Sequence, residues 1–313
     1  MQQRITRRVS ALSLGLSLGS GLGVLSLALN LGLSLGLSIA LAGPAQAVPA
    51  SCPRAGTLGT SRILTVDPKQ YPRVGLKSFP ETLPLQDHEI VLTFDDGPSP
   101  PMTDKVLATL AKECVHATFF LVGKPASGRA ALVQRIAAAG HTIGHHTYTH
   151  AHIPQLTPEA AVQEIDRGIA GDELALHGAE STTPSTPFFR FPYFESTPAT
   201  LDLLQSRGIA VFGADFWASD WEPMSPQQEL KLLISRLEQI HKGILLLHDP
   251  QARTVAMLPA FLRYLKDNNY HVVHIVPASS GQRPQAASPA VSSPAVSNPA
   301  ASGPASLKPP AGG

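Results

Sequence analysis

Residues 90–112 read IVLTFDDGPSPPMTDKVLATLAK. Ile90 to Phe94 is an apolar run broken only by Thr93. Two carboxylates follow, Asp95 and Asp96, and Gly97-Pro98 turns the chain toward a segment, 103–112, with helical periodicity. A strand apolar at successive positions is buried on both faces, which is the signature of a parallel sheet whose crossovers are helices. The unit recurs. Short apolar runs at 90–94, 118–122, 142–144, 188–190, 210–213, 244–247 and 272–276 alternate with helical patterns at 103–112, 130–139, 158–176, 198–206, 226–240 and 254–266. Thr157-Pro158, Thr197-Pro198 and Ser225-Pro226 put a capping hydroxyl before a proline in the first turn. Gly140, Gly208 and Gly243 are expected to end helices. The expected fold class is α/β, a distorted (β/α) barrel of about seven strands. A doubly wound open sheet is the competing topology.

The flanks differ from this domain, which spans 87–277. Arg4, Arg7 and Arg8 precede an apolar Leu/Gly/Ser/Ala stretch over 11–42, and Ala45-Gln46-Ala47 reads as a small-residue cleavage site. Residues 1–47 are therefore expected to be a signal peptide, and the protein to be exported, periplasmic or secreted. The stretch exceeds the roughly 7–15 residues of an ordinary signal core, so an uncleaved membrane anchor stays open as the alternative. Residues 48–86 are Pro-rich and read as an extended, irregular wrap. Residues 278–313 are Pro, Ala, Ser and Gly with almost no large apolar side chains, and read as a disordered tail. The chain has two cysteines, Cys52 and Cys114. In an oxidising compartment they are expected to form one disulfide.

With 313 residues, 43% of them hydrophobic, the chain can bury one large core or two modest ones. Its net charge of +1 gives no electrostatic handle for nucleic acid. A neutral ligand such as carbohydrate fits this balance.

The chemistry-bearing residues gather just after the expected strands. Asp95-Asp96 follow the first, His146 and His150 the third, Arg190 ends the fourth, Asp215 to Trp221 follow the fifth and His248-Asp249 the sixth. In a β/α barrel these strand ends form one face, where active sites sit. His146 and His150 are spaced i, i+4, which would set both imidazoles on one face of a helical turn. A carboxylate from another strand completes a two-His, one-carboxylate set with open positions, as a catalytic zinc requires. The same donors describe non-haem iron oxygenases, but those use an all-β scaffold. Paired carboxylates also serve glycosidases, but adjacent residues poorly supply the required separation of roughly 5–9.5 Å, and the histidines would go unused.

The chain resembles the NodB-type polysaccharide deacetylases, the fourth family of carbohydrate esterases, over residues 88–277. Thr93-Phe94-Asp95-Asp96-Gly97-Pro98-Ser99, His146-Thr147-Tyr148-Thr149-His150, Arg190-Phe191-Pro192-Tyr193, Asp220-Trp221 and Leu246-Leu247-His248-Asp249 are similar to that family's five motifs, in its order. The resemblance implies that Asp96, His146 and His150 bind a metal, zinc or another divalent ion such as cobalt, nickel or manganese. It implies Asp95 as general base, Arg190 as its orienting partner and His248 as general acid tuned by Asp220. The backbone N–H of Tyr193 would hold the oxyanion, and Trp221 and Leu246 would line the acetyl-methyl pocket. The implied activity is hydrolysis of N-acetyl groups on an N-acetylglucosamine-containing glycan, chitin-like or peptidoglycan. An O-acetyl glycan esterase and a non-catalytic carbohydrate-binding barrel are the alternatives. Two residues depart from the pattern: Phe194 stands where Gly is frequent and Trp217 where Asp is frequent. Both bear on substrate choice, since with Trp221 they could form a sugar-stacking surface.

Overall fold

The computed structural model describes residues 54–278. The expected signal segment 1–47, Cys52 and the tail from 279 onward lie outside the described residues; Cys114 is not a free thiol. In chain order the elements are β1 (Thr60–Val66), β2 (Arg73–Val74), β3 (Glu89–Asp95), α1 (Met102–Glu113), β4 (Thr118–Leu121), α2 (Gly123–Ser127), α3 (Ala130–Ala138), β5 (Thr142–His145), α4 (Pro158–His177), β6 (Phe188–Phe189), α5 (Pro198–Ser206), β7 (Ala210–Phe212), β8 (Phe216–Trp217), α6 (Pro226–Ile240), β9 (Gly243–His248), α7 (Ala252–Asp267) and β10 (His271–Pro277). No helix among the described residues is long and apolar enough to cross a membrane.

Every strand pairing is parallel. β3 pairs β4, then β5, β6 and β7 follow in order. Gly213–Asp215 lead the chain from β7 into β8, which pairs β9, and β9 pairs back to β3. The circuit of neighbours thus returns to its start through a chain connection between β7 and β8, as in a distorted barrel. The seven expected runs correspond to β3, β4, β5, β6, β7, β9 and β10.

The stretch read as an irregular wrap is partly strand. β1 pairs β10 from Thr60↔Val272 to Val66↔Pro277, and β2 pairs β7 through Arg73↔Val211 and Val74↔Phe212. β1 is only half-buried, alternating exposed and covered residues, so it lacks the continuous apolar run that marks the central strands. Its partner lies some two hundred residues away in sequence, beyond the reach of a local pattern.

On β3 the strand period of two divides the side chains. Ile90, Leu92 and Phe94 join the layer packed beneath α1, α6 and α7. Val91 packs inward with Phe120, Phe188, Phe212 and Ile244. Asp95, two pleats beyond Val91, therefore stands at the top of the filled interior. The same alternation on β9 puts Leu245 and Leu247 against the helices and leaves Leu246 and His248 to the other face. The expected helix starts form: Thr157 accepts from Ala160, and Thr197 and Ser225 each close a capping box. α6 ends on left-handed His241, not on Gly243, which opens β9 instead.

Candidate active site

The loop after β3 presents both acidic residues. Asp95 is buried at the strand end, whereas Asp96 takes a left-handed φ of 73° that turns its side chain away from the strand's alternation. Gly97 then passes directly over Asp249: a Cβ there would lie 2.5 Å from both carboxylate oxygens, so only glycine fits. Burial pushes the Asp249 carboxyl up to about 7, against a hydrogen bond from Thr103 Oγ1.

Fully buried Arg190 anchors Asp95. One guanidinium nitrogen donates to Asp95 Oδ1 at 2.7 Å and to Thr93 Oγ1 at 2.8 Å, and the other donates to the Gly213 carbonyl at 2.8 Å. Its plane lies over the Phe120 ring, 4.3 Å from the centroid. All strong partners of this buried cation are thereby supplied. Asp95 Oδ2 stays clear of Arg190 and lies 3.8 Å from His146 Nε2.

Asp96 Oδ1 is 3.0 Å from His150 Nε2 and 3.4 Å from His146 Nε2. The two histidines do not share a helical turn. They flank a bend in which Thr147 and His150 are left-handed, with φ of 60° and 63°. The bend, not helical periodicity, brings the rings to 5.0 Å. His146 Nδ1 donates to the Arg190 carbonyl at 2.7 Å, which fixes the tautomer and leaves Nε2 with a lone pair. His150 Nδ1 meets the Tyr193 hydroxyl at 3.1 Å. Asp96 Oδ1 is buried without a hydrogen-bond partner. Nε2 of both imidazoles and a buried carboxylate oxygen thus converge, which is a candidate donor set for a divalent cation. Burial raises the Asp96 carboxyl, but the contacts and charges of His146, His150 and His248 outweigh it and hold it well below the usual range.

Across from this set, Asp220 grips His248 twice. Its Oδ1 accepts from His248 Nδ1 and its Oδ2 from the His248 backbone N–H, both at 2.7 Å. Burial pulls the imidazole down, but the hydrogen bond and charge of Asp220, with the charges of Asp96 and Asp95, push it up to about 9. Thr254 Oγ1 lies 2.7 Å from Asp220 Oδ2 and 3.1 Å from Glu229 Oε1. A hydroxyl has one proton to donate. The Glu229 carboxyl, pushed up to about 7 by burial and then by Asp220, supplies the second when neutral.

A cavity of about 430 Å³ joins these groups, lined by Asp95, Asp96, His146, His150 and His248. Trp217, Trp221, Phe194 and Leu246 form its apolar wall. Trp221 stands edge-on to His248 at 5.7 Å. Tyr193 stacks on His152 at 3.9 Å, and its backbone N–H has no hydrogen-bond partner among the described residues. Every site residue expected from the sequence within 54–278 therefore borders or supports this cavity, apart from Cys114. The sequence did not reveal Glu229, Thr254 or Lys77, the last of which also lines the cavity, and it named Asp249 without a role.

Residues 83–212 match the polysaccharide deacetylase family. The peptidoglycan-N-acetylglucosamine deacetylase PgdA of Listeria monocytogenes is 31% identical over 186 residues; the match takes in 59% of this chain but only 38% of that protein's length. The Bdellovibrio bacteriovorus peptidoglycan deacetylase Bd3279 superimposes with a TM-score of 0.63 at 29% identity, over 72% of this chain and 62% of that one. A chitooligosaccharide deacetylase of Sinorhizobium fredii is 33% identical over 51% of this chain and 71% of its own length. On that shared sequence, fold and order of residues, the chain belongs to the polysaccharide deacetylase family.

Proposed function

We propose that the protein is an exported, metal-dependent deacetylase that hydrolyses N-acetyl groups on an N-acetylglucosamine-containing polysaccharide. The observation that carries this reading is the pairing of Asp95 with the unpartnered Asp96–His146–His150 donor set on one wall and the Asp220–His248 pair on the other. A divalent cation, zinc foremost, held by Asp96, His146 and His150 would acidify water and polarise the amide oxygen.

The chain's own residues do the rest. Arg190 occupies Asp95 Oδ1, which leaves Oδ2 to take the proton of the attacking water. The free N–H of Tyr193 can donate to the oxygen on which charge develops. An amine leaves only when protonated. His248, held protonated by Asp220, donates from Nε2, its Nδ1 being tied to the carboxylate. Leu246 and Trp221 close the apolar side of the cavity, where a methyl group fits and water is poorly held.

The test is acetate release from N-acetylglucosamine oligomers by the full chain, before and after chelation and with zinc restored. Release that stops with chelator and returns with zinc supports the reading. Release indifferent to chelator, or release from O-acetylated glycans alone, overturns it.

A further inference from the structure

The cavity does not end at the donor set. A second cavity of about 480 Å³ shares Asp96 and His150 with the first, so the groove runs on both sides of the reacting position. Each side carries one lysine. Lys77 is the sole Lys or Arg lining the first cavity; Lys124 lines the second together with Arg129, whose guanidinium donates to the Pro98 carbonyl at 2.8 Å. Both lysines are exposed, and neither ammonium makes a hydrogen bond or ion pair among the described residues. Lys77 Nζ lies 4.9 Å from the centre of the Trp217 ring.

Both lysines stand on backbone fastened to the site. The Lys77 N–H donates to the Ala214 carbonyl at 2.8 Å, and the neighbouring Leu76 N–H donates to Asp215 Oδ1 at 2.8 Å. Gly75, with φ of 109°, lets this turn lie against Gly213, where a Cβ would come within 2.5 Å of backbone. Lys124 N–H donates at 3.0 Å to the carbonyl of Tyr148, between the two histidines of the donor set. Apart from Asp95 and Asp96, no carboxylate lines either cavity.

Two lysines without a hydrogen bond or ion pair, one on either side of the donor set in a chain of net charge +1, are a local rather than a global feature. We propose that the groove reads carboxylates: Lys77 and Lys124 bind acidic groups on the sugars flanking the one deacetylated, so that the preferred substrate is an anionic N-acetylated glycan. This rests on the deacetylase reading and adds the charge of its substrate. Lys77 comes from the segment ahead of the α/β domain, which makes that segment a wall of the substrate groove.

The test compares three oligomers of equal length: neutral N-acetylglucosamine, the same oxidised to carboxylate at C6, and one in which alternate sugars bear an ether-linked lactate. Acetate release gives KM, and calorimetry gives Kd, for the full chain and for Lys77→Ala, Lys124→Ala and the double variant. Exposed ion pairs contribute little each, so KM on a carboxylate oligomer is expected to rise about 2- to 5-fold per lysine removed, and by more than KM on the neutral oligomer. Moderate salt should erase the same preference. The carboxylate oligomer that shows the larger effect tells whether the acid belongs at C6 or on the ether. Equal KM for neutral and acidic oligomers in the unaltered chain, or equal losses on both in the variants, overturns the proposal. If no oligomer releases acetate, the deacetylase reading has failed, and the Kd series still decides whether the lysines select acidic glycans.

Discussion

Two clusters offer the same donors, two histidines and an aspartate, at opposite ends of the parallel strands. Asp96, His146 and His150 follow the C-terminal ends, whereas Asp87 and His88 precede β3 and His241 precedes β9. In the lower cluster the aspartate and one histidine satisfy each other. His88 Nδ1 and Asp87 Oδ2 are 2.8 Å apart, and that bond holds the exposed Asp87 carboxyl below its usual range. In the upper cluster each histidine spends Nδ1 elsewhere, on the Arg190 carbonyl and the Tyr193 hydroxyl, and turns Nε2 toward a buried Asp96 oxygen that has no partner. Donor identity is equal in the two, so outer partners and burial are what distinguish the upper cluster as the candidate cation site.

The largest expected effect breaks the upper cluster. Asp96→Ala should abolish both zinc retention and acetate release, read by metal analysis and by product assay on one sample. Asp95→Asn sharpens the division inside the site: zinc should remain, and kcat should fall by about 10²- to 10⁴-fold, the usual contribution of a general base. Arg190→Met leaves Asp95 buried without its cation and should lower the unfolding free energy by about 3–5 kcal/mol, measured as a shifted urea midpoint. The next effect is one of pH. The folded-state pKa of His248 is raised to about 9, so in metal-free protein its contribution to stability is complete below the unfolded value of about 6.5 and is lost as pH rises through 9. Urea midpoints in chelator should fall across that window, and Asp220→Asn should flatten the fall. The smallest effect is at the lower cluster. His241→Ala should change stability by less than about 0.5 kcal/mol and leave zinc content and rate alone.

The two regions were also unequally legible in the sequence. Asp95, Asp96 and His248 sit directly after apolar runs, so their position at strand ends places them at one end of the sheet, although the left-handed turn that aims Asp96 carries no sequence signal. His146 and His150 were found through their spacing, although the geometry that joins them is a bend with two left-handed residues. β1 and β2 were missed because their ladders form with β10 and β7, which lie far along the chain. Glu229 and Thr254 carry no motif; Thr254 reaches Asp220 and Glu229 reaches Thr254. Lys77 reads as an ordinary surface lysine until the turn carrying it docks on Gly213 and Ala214.

The most direct measurement is zinc bound per chain at equilibrium, for the unaltered protein, His150→Ala and His241→Ala. One zinc per chain in the unaltered protein and in His241→Ala, and none in His150→Ala, is the expected result. Zinc that survives His150→Ala but disappears with His241→Ala would contradict the assignment of the cation to the upper cluster and the chemistry built on it.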